Sequence, residues 1–312
     1  MFVLLLSLKF HGVAARVHVL GIGLSEQSKA TLEQFEGVRV HDADPELPLV
    51  PCARKAEAIL TAKDEETDFI TLLDGDCIVT GDVSPYLAYD APGLYARFRL
   101  PDEDSMVFAS RYAPGESHHG IPASVLNEWK NDVSERTEAA LYHTVCGGNL
   151  TVHRSYLPFV KRWHEQMLKV LPNLQHTHSM DSHAYFQMDE WVLCSLLAFA
   201  NSPPPLYRGT LDRDPDAYVA HLGPADPKPW VLWRWDRMCY AQSVIDLVEW
   251  GRAQGYRIEH TPWTFRRKLL PFFVPASFLY HVYRGIRSRI GRLLRAAGLC
   301  PHRRQAMVRE PS

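Results

Sequence analysis

The chain has 312 residues, of which 46% are hydrophobic and 22% charged, a balance that can build a sizeable core and excludes disordered and collagen-like classes. Its net charge of −2 conceals an asymmetry. Residues 263–312 carry eleven Lys or Arg against Glu310 alone, a surplus of +10, while residues 1–262 carry 23 basic and 35 acidic side chains, a balance of −12. The acidic body does not suggest a nucleic-acid partner, whereas the basic, aromatic-rich tail points to an anionic surface such as a membrane.

In chain order, Met1 to Leu8 is apolar but only eight residues long, well short of the roughly 20 that a spanning helix needs. It lacks a small-residue cleavage site and is expected to be a buried first helix. Val17 to Gly23 is a short apolar run ending in glycines, after which Ser25 is placed to cap a helix, giving a strand–turn–helix unit. Val38 to Val40 is a second strand, Lys55 to Ala62 a helix, and Asp68 to Leu73 a buried strand. This alternation implies an α/β fold with a single mixed, mostly parallel sheet flanked by helices. From Pro92 to about Leu141 the pattern loosens into an expected long loop region, a functional insertion rather than a connector. Gly147 to Val152 resumes a strand, and Tyr156 to Val170 and Asp189 to Ala200 read as helices, the latter stopped by Pro203, Pro204 and Pro205.

One body, residues 1–262, followed by a tail, residues 263–312, is the expected organisation. In the tail, the apolar stretch from Leu269 to Val282 is broken by Pro271 and Pro275, making it a poor transmembrane helix. Arg284, Arg287, Arg292 and Arg295 alternate at helical spacing with Leu279, Val282, Tyr283, Ile286, Ile290, Leu293 and Leu294, which describes an amphipathic basic helix suited equally to a membrane surface and to packing on the body. The six cysteines form no C-x-x-C pair and read as reduced thiols of a cytoplasmic protein, one that sits peripherally on the inner face of a membrane.

The sharpest local feature is Leu72-Leu73-Asp74-Gly75-Asp76-Cys77-Ile78-Val79, two carboxylates one residue apart at the end of a buried strand. Ligands of open α/β sheets bind beyond the carboxyl ends of the strands, so these acids would stand at the mouth of a site. Their hard oxygen atoms suit Mn²⁺ or Mg²⁺ bridging phosphate oxygens, and Gly75 lets such a group approach the backbone. Two other readings of the same residues stay open. One is an Asp-Gly hairpin turn between two apolar strands. The other is a phosphatase of the haloacid dehalogenase type with Asp74 as nucleophile, although that pattern prefers Thr or Val where Ile78 stands.

A distant segment, His221-Leu222-Gly223 followed by Lys228-Pro229-Trp230, separates these readings. Together with Asp74-Gly75-Asp76 it resembles the family-eight retaining glycosyltransferases, with the Gly-to-Lys gap two residues longer than the family's. The resemblance covers roughly residues 1–235. It implies a nucleotide-sugar fold of the GT-A kind, a UDP-sugar donor, a glycan or lipid-linked acceptor, and retention of anomeric configuration. It also implies that His221 joins Asp74 and Asp76 as a metal ligand, that Gly223 and Lys228 contact the donor diphosphate, and that Lys55 lies near the same phosphates. Cys146-Gly147-Gly148-Asn149 matches a segment under the donor sugar, and Met188-Asp189-Glu190 matches the start of a helix lining the sugar pocket. Asn149 and Asp189 are thereby implied to position the sugar, while Glu190 departs from the family's amide. A strand and a base-gripping loop precede in the family the helix that Phe2 to Leu8 resembles, so the expectation is a missing first strand and incomplete base recognition. A degenerate, non-catalytic sugar-nucleotide binder is the reading that this departure favours.

The chemistry accounts for the residue types. A sugar leaves a nucleotide only if the growing charge on the diphosphate is neutralised, which a divalent ion does as a Lewis acid. Two carboxylates and an imidazole hold such an ion while leaving positions for phosphate oxygens, and Lys228 adds a point charge. His176, His178, Asp181 and His183 form no recognised ligand spacing and read as a polar loop, as does His118-His119.

Overall fold

The computed structural model describes residues 1–47, 51–64, 66–109, 116–141, 143–170, 183–185, 187–209, 218–223, 227–258 and 260–296. Its elements are α1 (Phe2–Phe10), β1 (Val17–Gly21), α2 (Glu26–Glu33), β2 (Val38–Asp42), α3 (Lys55–Leu60), β3 (Phe69–Leu73), β4 (Cys77–Val79), β5 (Leu94–Phe98), α4 (Pro101–Ala109), β6 (Ser117–His118), β7 (Ile121–Pro122), α5 (Ala123–Val133), β8 (Val145–His153), α6 (Leu157–Val170), α7 (Asp189–Phe199), β9 (Leu206–Arg208), β10 (Val219–His221), α8 (Ala241–Ala253) and α9 (Leu270–Ala296). The fold is mixed α/β and divides into two compact units. The larger holds Ala14–Asp74 and Gly81–Val219, and the smaller holds Met1–Val13, Gly75–Thr80 and Ala220–Ser312.

In the larger unit, β1 and β2 pair in parallel on either side of α2. Ser25 caps that helix, its hydroxyl accepting from the Ser28 N–H at 3.2 Å, so one otherwise orphaned donor of the first turn is satisfied. The main sheet runs β3-β8-β5-β9. The nine-residue β8 is antiparallel to both β3 and β5, and β9 is parallel to β5. Alternation along these strands sends Leu150, Val152, Leu94 and Ala96 into the core. On the opposite face the Thr71 and Thr151 hydroxyls hydrogen-bond at 2.8 Å. The core is packed with indoles: Trp129 of α5, Trp163 of α6 and Trp191 of α7 are all essentially inaccessible.

Two expectations are corrected here. Strands among the described residues form four separate sheets, one four-stranded and three two-stranded, rather than one mostly parallel sheet. The reason is that β3 takes its partner from β8, far along the chain, instead of from a neighbour reached by a helical crossover. Residues 92–141 are also not a loop region, since they contain β5, α4, the short β6–β7 ladder and α5. In α4, Pro101 occupies the first position and Asp102, Glu103 and Asp104 follow in the first turn, where a missing N–H and negative charge are both tolerated. In α5, Val125, Trp129 and Val133 recur every fourth residue and are buried.

In the smaller unit, α1 buries Leu4, Leu5 and Leu6 as expected. The Ser7 hydroxyl donates to the Leu4 carbonyl and accepts from the Val79 N–H at 2.9 Å, tying α1 to β4. β4 lies beside β10, and their Ile78, Ala220 and Leu222 join Trp233, Val244, Ile245, Phe265 and Phe273 in a second core. The indole of Trp233 donates to the Thr264 carbonyl at 3.0 Å. The tail helix α9 is continuous over 27 residues, with Pro275 inside it, where an interruption was expected. Pro271 falls in the first turn, whose N–H groups lack intrahelical partners in any helix, so Pro275 alone removes a helical bond. Beyond the buried Phe273, α9 exposes Phe272, Phe278, Leu279, Val282, Tyr283, Ile286, Ile290 and Leu293. Among the described residues no helix is long and apolar enough to cross a membrane.

Candidate functional site

The smaller unit assembles one cluster around Asp76. Because β4 begins at Cys77 and β10 ends at His221, their side-by-side run brings the residues flanking each strand together, and the Leu222 N–H donates to the Asp76 carbonyl at 2.9 Å. His221 Nε2 lies 2.8 Å from Asp76 Oδ1, and Lys228 Nζ lies 3.1 Å from Oδ2. Lys228 Nζ also donates to the Gly223 carbonyl at 2.5 Å. A Cβ at Gly223 would come within 2.8 Å of Asp76 Oδ2 and 3.0 Å of Lys228 Cδ, so glycine is the residue that leaves this cradle open. Burial opposes the charge of Asp76, but the hydrogen bond and positive field of His221, followed by those of Lys228, more than offset it and hold the carboxyl down at about 2. Asp76 is therefore ionised at neutral pH. Residues 224–226, which account for the long Gly-to-Lys gap, lie outside the described residues.

The larger unit assembles a second cluster around Lys55, at the start of α3. Its ammonium lies 3.0 Å from Asp74 Oδ1 and 3.1 Å from Asp189 Oδ2, and donates to the Gly147 carbonyl at 3.2 Å. Asp74 follows β3 and donates its N–H to the Gly148 carbonyl at 3.2 Å, extending the β3–β8 ladder by one bond. Asp189 opens α7, where the helix dipole favours a carboxylate. The residue before it, Met188, has φ 39. Both glycines of β8 are needed here, since a Cβ would meet Asp189 Oδ2 at 2.8 Å from Gly147 and Asp74 Oδ2 at 3.0 Å from Gly148. Asn149 stands opposite Leu73 in the β3–β8 register, one residue beyond Gly148.

Charge explains the titration of this cluster. Burial pushes Asp189 up to about 7, Lys55 pulls it back, and Glu190 and Asp74 push it further up. Burial works against the Lys55 ammonium, yet Asp189 and Asp74 outweigh it and raise the amine above its usual range. Three carboxylates, Asp74, Asp189 and Glu190, share the two cations Lys55 and Arg99, so a proton is taken up most readily at the most buried acid.

The sequence suggested Asp74, Asp76 and His221 as metal ligands, Gly223, Lys228 and Lys55 as diphosphate contacts and Asn149 and Asp189 as sugar contacts; the structure groups them differently, with Asp76, His221, Gly223 and Lys228 together in the smaller unit and Lys55, Asp74 and Asp189 together in the larger. The hairpin reading of Asp74-Gly75-Asp76 is overturned, because β3 pairs with β8 and β4 lies beside β10. Of the discounted His/Asp cluster, His176, His178 and Asp181 lie outside the described residues, and His183 begins a short 3-10 turn, His183–Tyr185. Sequence reasoning missed Arg99, a buried guanidinium that contacts Glu190 and Gln187 Oε1, the latter at 3.1 Å.

No protein-family profile matches the chain, and no curated protein sequence matches it. Among solved structures, it is similar to a crystal structure of the galactosyltransferase LgtC in complex with donor and acceptor sugar analogues, at 17% identity and a TM-score of 0.47. A structure of an active-site mutant of LgtC is similar at 18% identity and a TM-score of 0.46. Each comparison covers 84% of this chain and 94% of the other. So distant a likeness carries no argument about chemistry.

Proposed function

We propose that the chain is a metal-dependent glycosyltransferase, with residues 1–262 as its catalytic part, that moves a sugar from a UDP-sugar to a glycan or lipid-linked acceptor. The observation that carries this reading is the meeting of His221 and Lys228 with opposite oxygens of Asp76, the lysine arriving from 152 residues away. In this reading Asp74, Asp76 and His221 would each give one ligand atom to a common ion. Asp74 is tethered to Asp76 through Gly75 alone, so their Cα atoms can be no more than about 7 Å apart. Two carboxylate oxygens and one imidazole nitrogen suit Mn²⁺ or Mg²⁺. The fit is supported by the Asp76–His221 contact itself, which brings a carboxylate oxygen and an imidazole nitrogen, two ligand atoms, within 2.8 Å of each other. When bound, the ion would supply charge neutralisation to a departing diphosphate.

The chain's own residues supply the rest. Lys228 stands on the carboxylate oxygen away from His221 and gives a point charge to phosphate oxygens. Gly223 leaves room for such a group to approach the backbone. Lys55 bridges Asp74 and Asp189, keeping both in place beside the Gly147–Gly148 backbone. Asp189 and Asn149 offer acceptors to donor-sugar hydroxyls, and an Asp189 held near neutrality can also donate. Retention of configuration belongs to the same reading. The basic tail, residues 263–312, with the exposed apolar residues of α9, adds a peripheral contact with the inner face of a membrane.

The test is UDP binding by calorimetry with and without Mn²⁺, in the native chain and in Asp76→Ala. The reading requires Mn²⁺ to tighten UDP binding at least tenfold in the native chain and to have no effect in the variant. Metal-independent binding, unchanged by the substitution, rejects it.

A further inference from the structure

The buried pair Arg99–Glu190 is used by none of the steps above, yet it lies against the same backbone. Arg99 is 9% exposed, contacts Glu190 Oε2, donates to Gln187 Oε1 at 3.1 Å and to the Val145 carbonyl at 3.5 Å, and has its guanidinium carbon 5.2 Å from the centre of the Trp191 ring. Every one of these partners belongs to the start of β8 or to the entry of α7. The other oxygen of Glu190, Oε1, accepts the Gly147 N–H at 3.1 Å. The carbonyl of that same residue accepts from Lys55 at 3.2 Å. Gly147 is therefore gripped from two sides: its N–H by the Arg99–Glu190 pair, and its C=O by the ammonium that also holds Asp74 and Asp189.

We propose that Arg99 is a positioning residue, which engages Glu190 so that this carboxylate holds the Gly147 N–H and does not compete with Asp74 and Asp189 for Lys55. The physical case is a matter of supply. Glu190 is next in sequence to Asp189, which Lys55 holds at 3.1 Å, and it binds the N–H of the residue whose carbonyl Lys55 binds. A partly buried carboxylate deprived of its cation seeks another, or a proton, and Lys55, which binds the carbonyl of the same Gly147, is an ammonium that the site needs. The fork of the guanidinium matters as well, because Nη2 reaches Glu190 and Gln187 while Nη1 donates to the Val145 carbonyl and the planar group lies over the Trp191 ring. The inference rests on the transferase reading only for what it does to activity; the charge pairing stands apart from it.

Four chains test it: native, Arg99→Gln, Glu190→Gln, and the double variant. Their unfolding midpoints and their KM for the UDP-sugar, with Mn²⁺ present, are measured. Arg99→Gln is expected to lower the midpoint and to raise KM about tenfold or more. The double variant, which removes the stranded carboxylate, is expected to recover most of both losses. A role confined to packing against Trp191 predicts no recovery, and a double variant as impaired as Arg99→Gln in both measurements overturns the proposal. If no chain uses or binds a UDP-sugar, the transferase reading fails, and the midpoints alone decide the pairing: a double variant above Arg99→Gln supports it and one at or below Arg99→Gln refutes it.

Discussion

Gly223 shows how a position without a side chain can matter to charge. Its backbone is not in the left-handed region, so alanine there brings no strain, only a methyl 2.8 Å from Asp76 Oδ2 and 3.0 Å from Lys228 Cδ. Gly223→Ala should push those two groups apart. The expected result is Mn²⁺-dependent UDP binding about tenfold weaker, roughly 1.4 kcal/mol, with the unfolding midpoint nearly unchanged. Asp76 makes a second prediction through its acidity. Its folded pKa of about 2 is below the reference 3.8, so the ionised form stabilises the fold. That stabilisation is fully present above about pH 4 and is lost as pH falls through about 2, and for a side chain only 16% exposed it is worth about 2 kcal/mol. Denaturant unfolding of metal-free protein between pH 5 and pH 2 should therefore show a loss that Asp76→Asn lacks; equal losses in both would mean that the partners of Asp76 do not stabilise its charge. At this scale the sequence was legible where spacing is local. Asp74-Gly75-Asp76 and the His221-to-Lys228 segment declare ligand types within a few residues. Arg99 does not, because its partner stands 91 residues away and no spacing rule joins a strand-end arginine to a helix-entry glutamate.

Elements were readable in proportion to how local their signals are. Ser25 announced α2 because an N-cap is settled within one turn. The strands β1, β3 and β8 declared themselves by short apolar runs, whereas α5 was obscured. Its three buried residues, Val125, Trp129 and Val133, are diluted by Asn127, Glu128, Lys130, Asn131 and Asp132 on the other face, and the clustered Pro and Gly before it suggested a loop. The tail helix was misjudged in the opposite direction, as Pro271 falls in the first turn and Pro275, although it removes one helical bond, does not end the helix. That continuity bears on the proposed membrane contact, since one unbroken α9 presents exposed Leu279, Val282, Tyr283, Ile286, Ile290 and Leu293 together with Arg284, Arg287 and Arg289. The chain should co-sediment with vesicles containing anionic phosphatidylserine at low salt, and less as salt screens the arginines. Replacing Ile286 and Ile290 by Asp should reduce binding at least tenfold. Equal binding to neutral and anionic vesicles, or binding indifferent to those substitutions, would remove the tail from the account.

At the scale of the whole molecule, the division into units could not be read from the chain. Met1–Val13, Gly75–Thr80 and Ala220–Ser312 come from three separate stretches of sequence, and only tertiary packing of Ile78 with Ala220, Leu222 and Trp233 assembles them. The chain passes from one unit to the other between Asp74 and Gly75, in the middle of the acidic motif. Everything proposed about function requires that Asp74, Asp76 and His221 hold one divalent cation. Pulsed electron paramagnetic resonance of Mn²⁺ bound to the chain tests this most directly, because an imidazole ligand couples its ¹⁴N nucleus to the ion and carboxylates do not. The account predicts one tightly bound Mn²⁺ with ¹⁴N coupling, and loss of that coupling with at least tenfold weaker binding in His221→Gln. Bound Mn²⁺ without nitrogen coupling, or with the same affinity in His221→Gln, would contradict it.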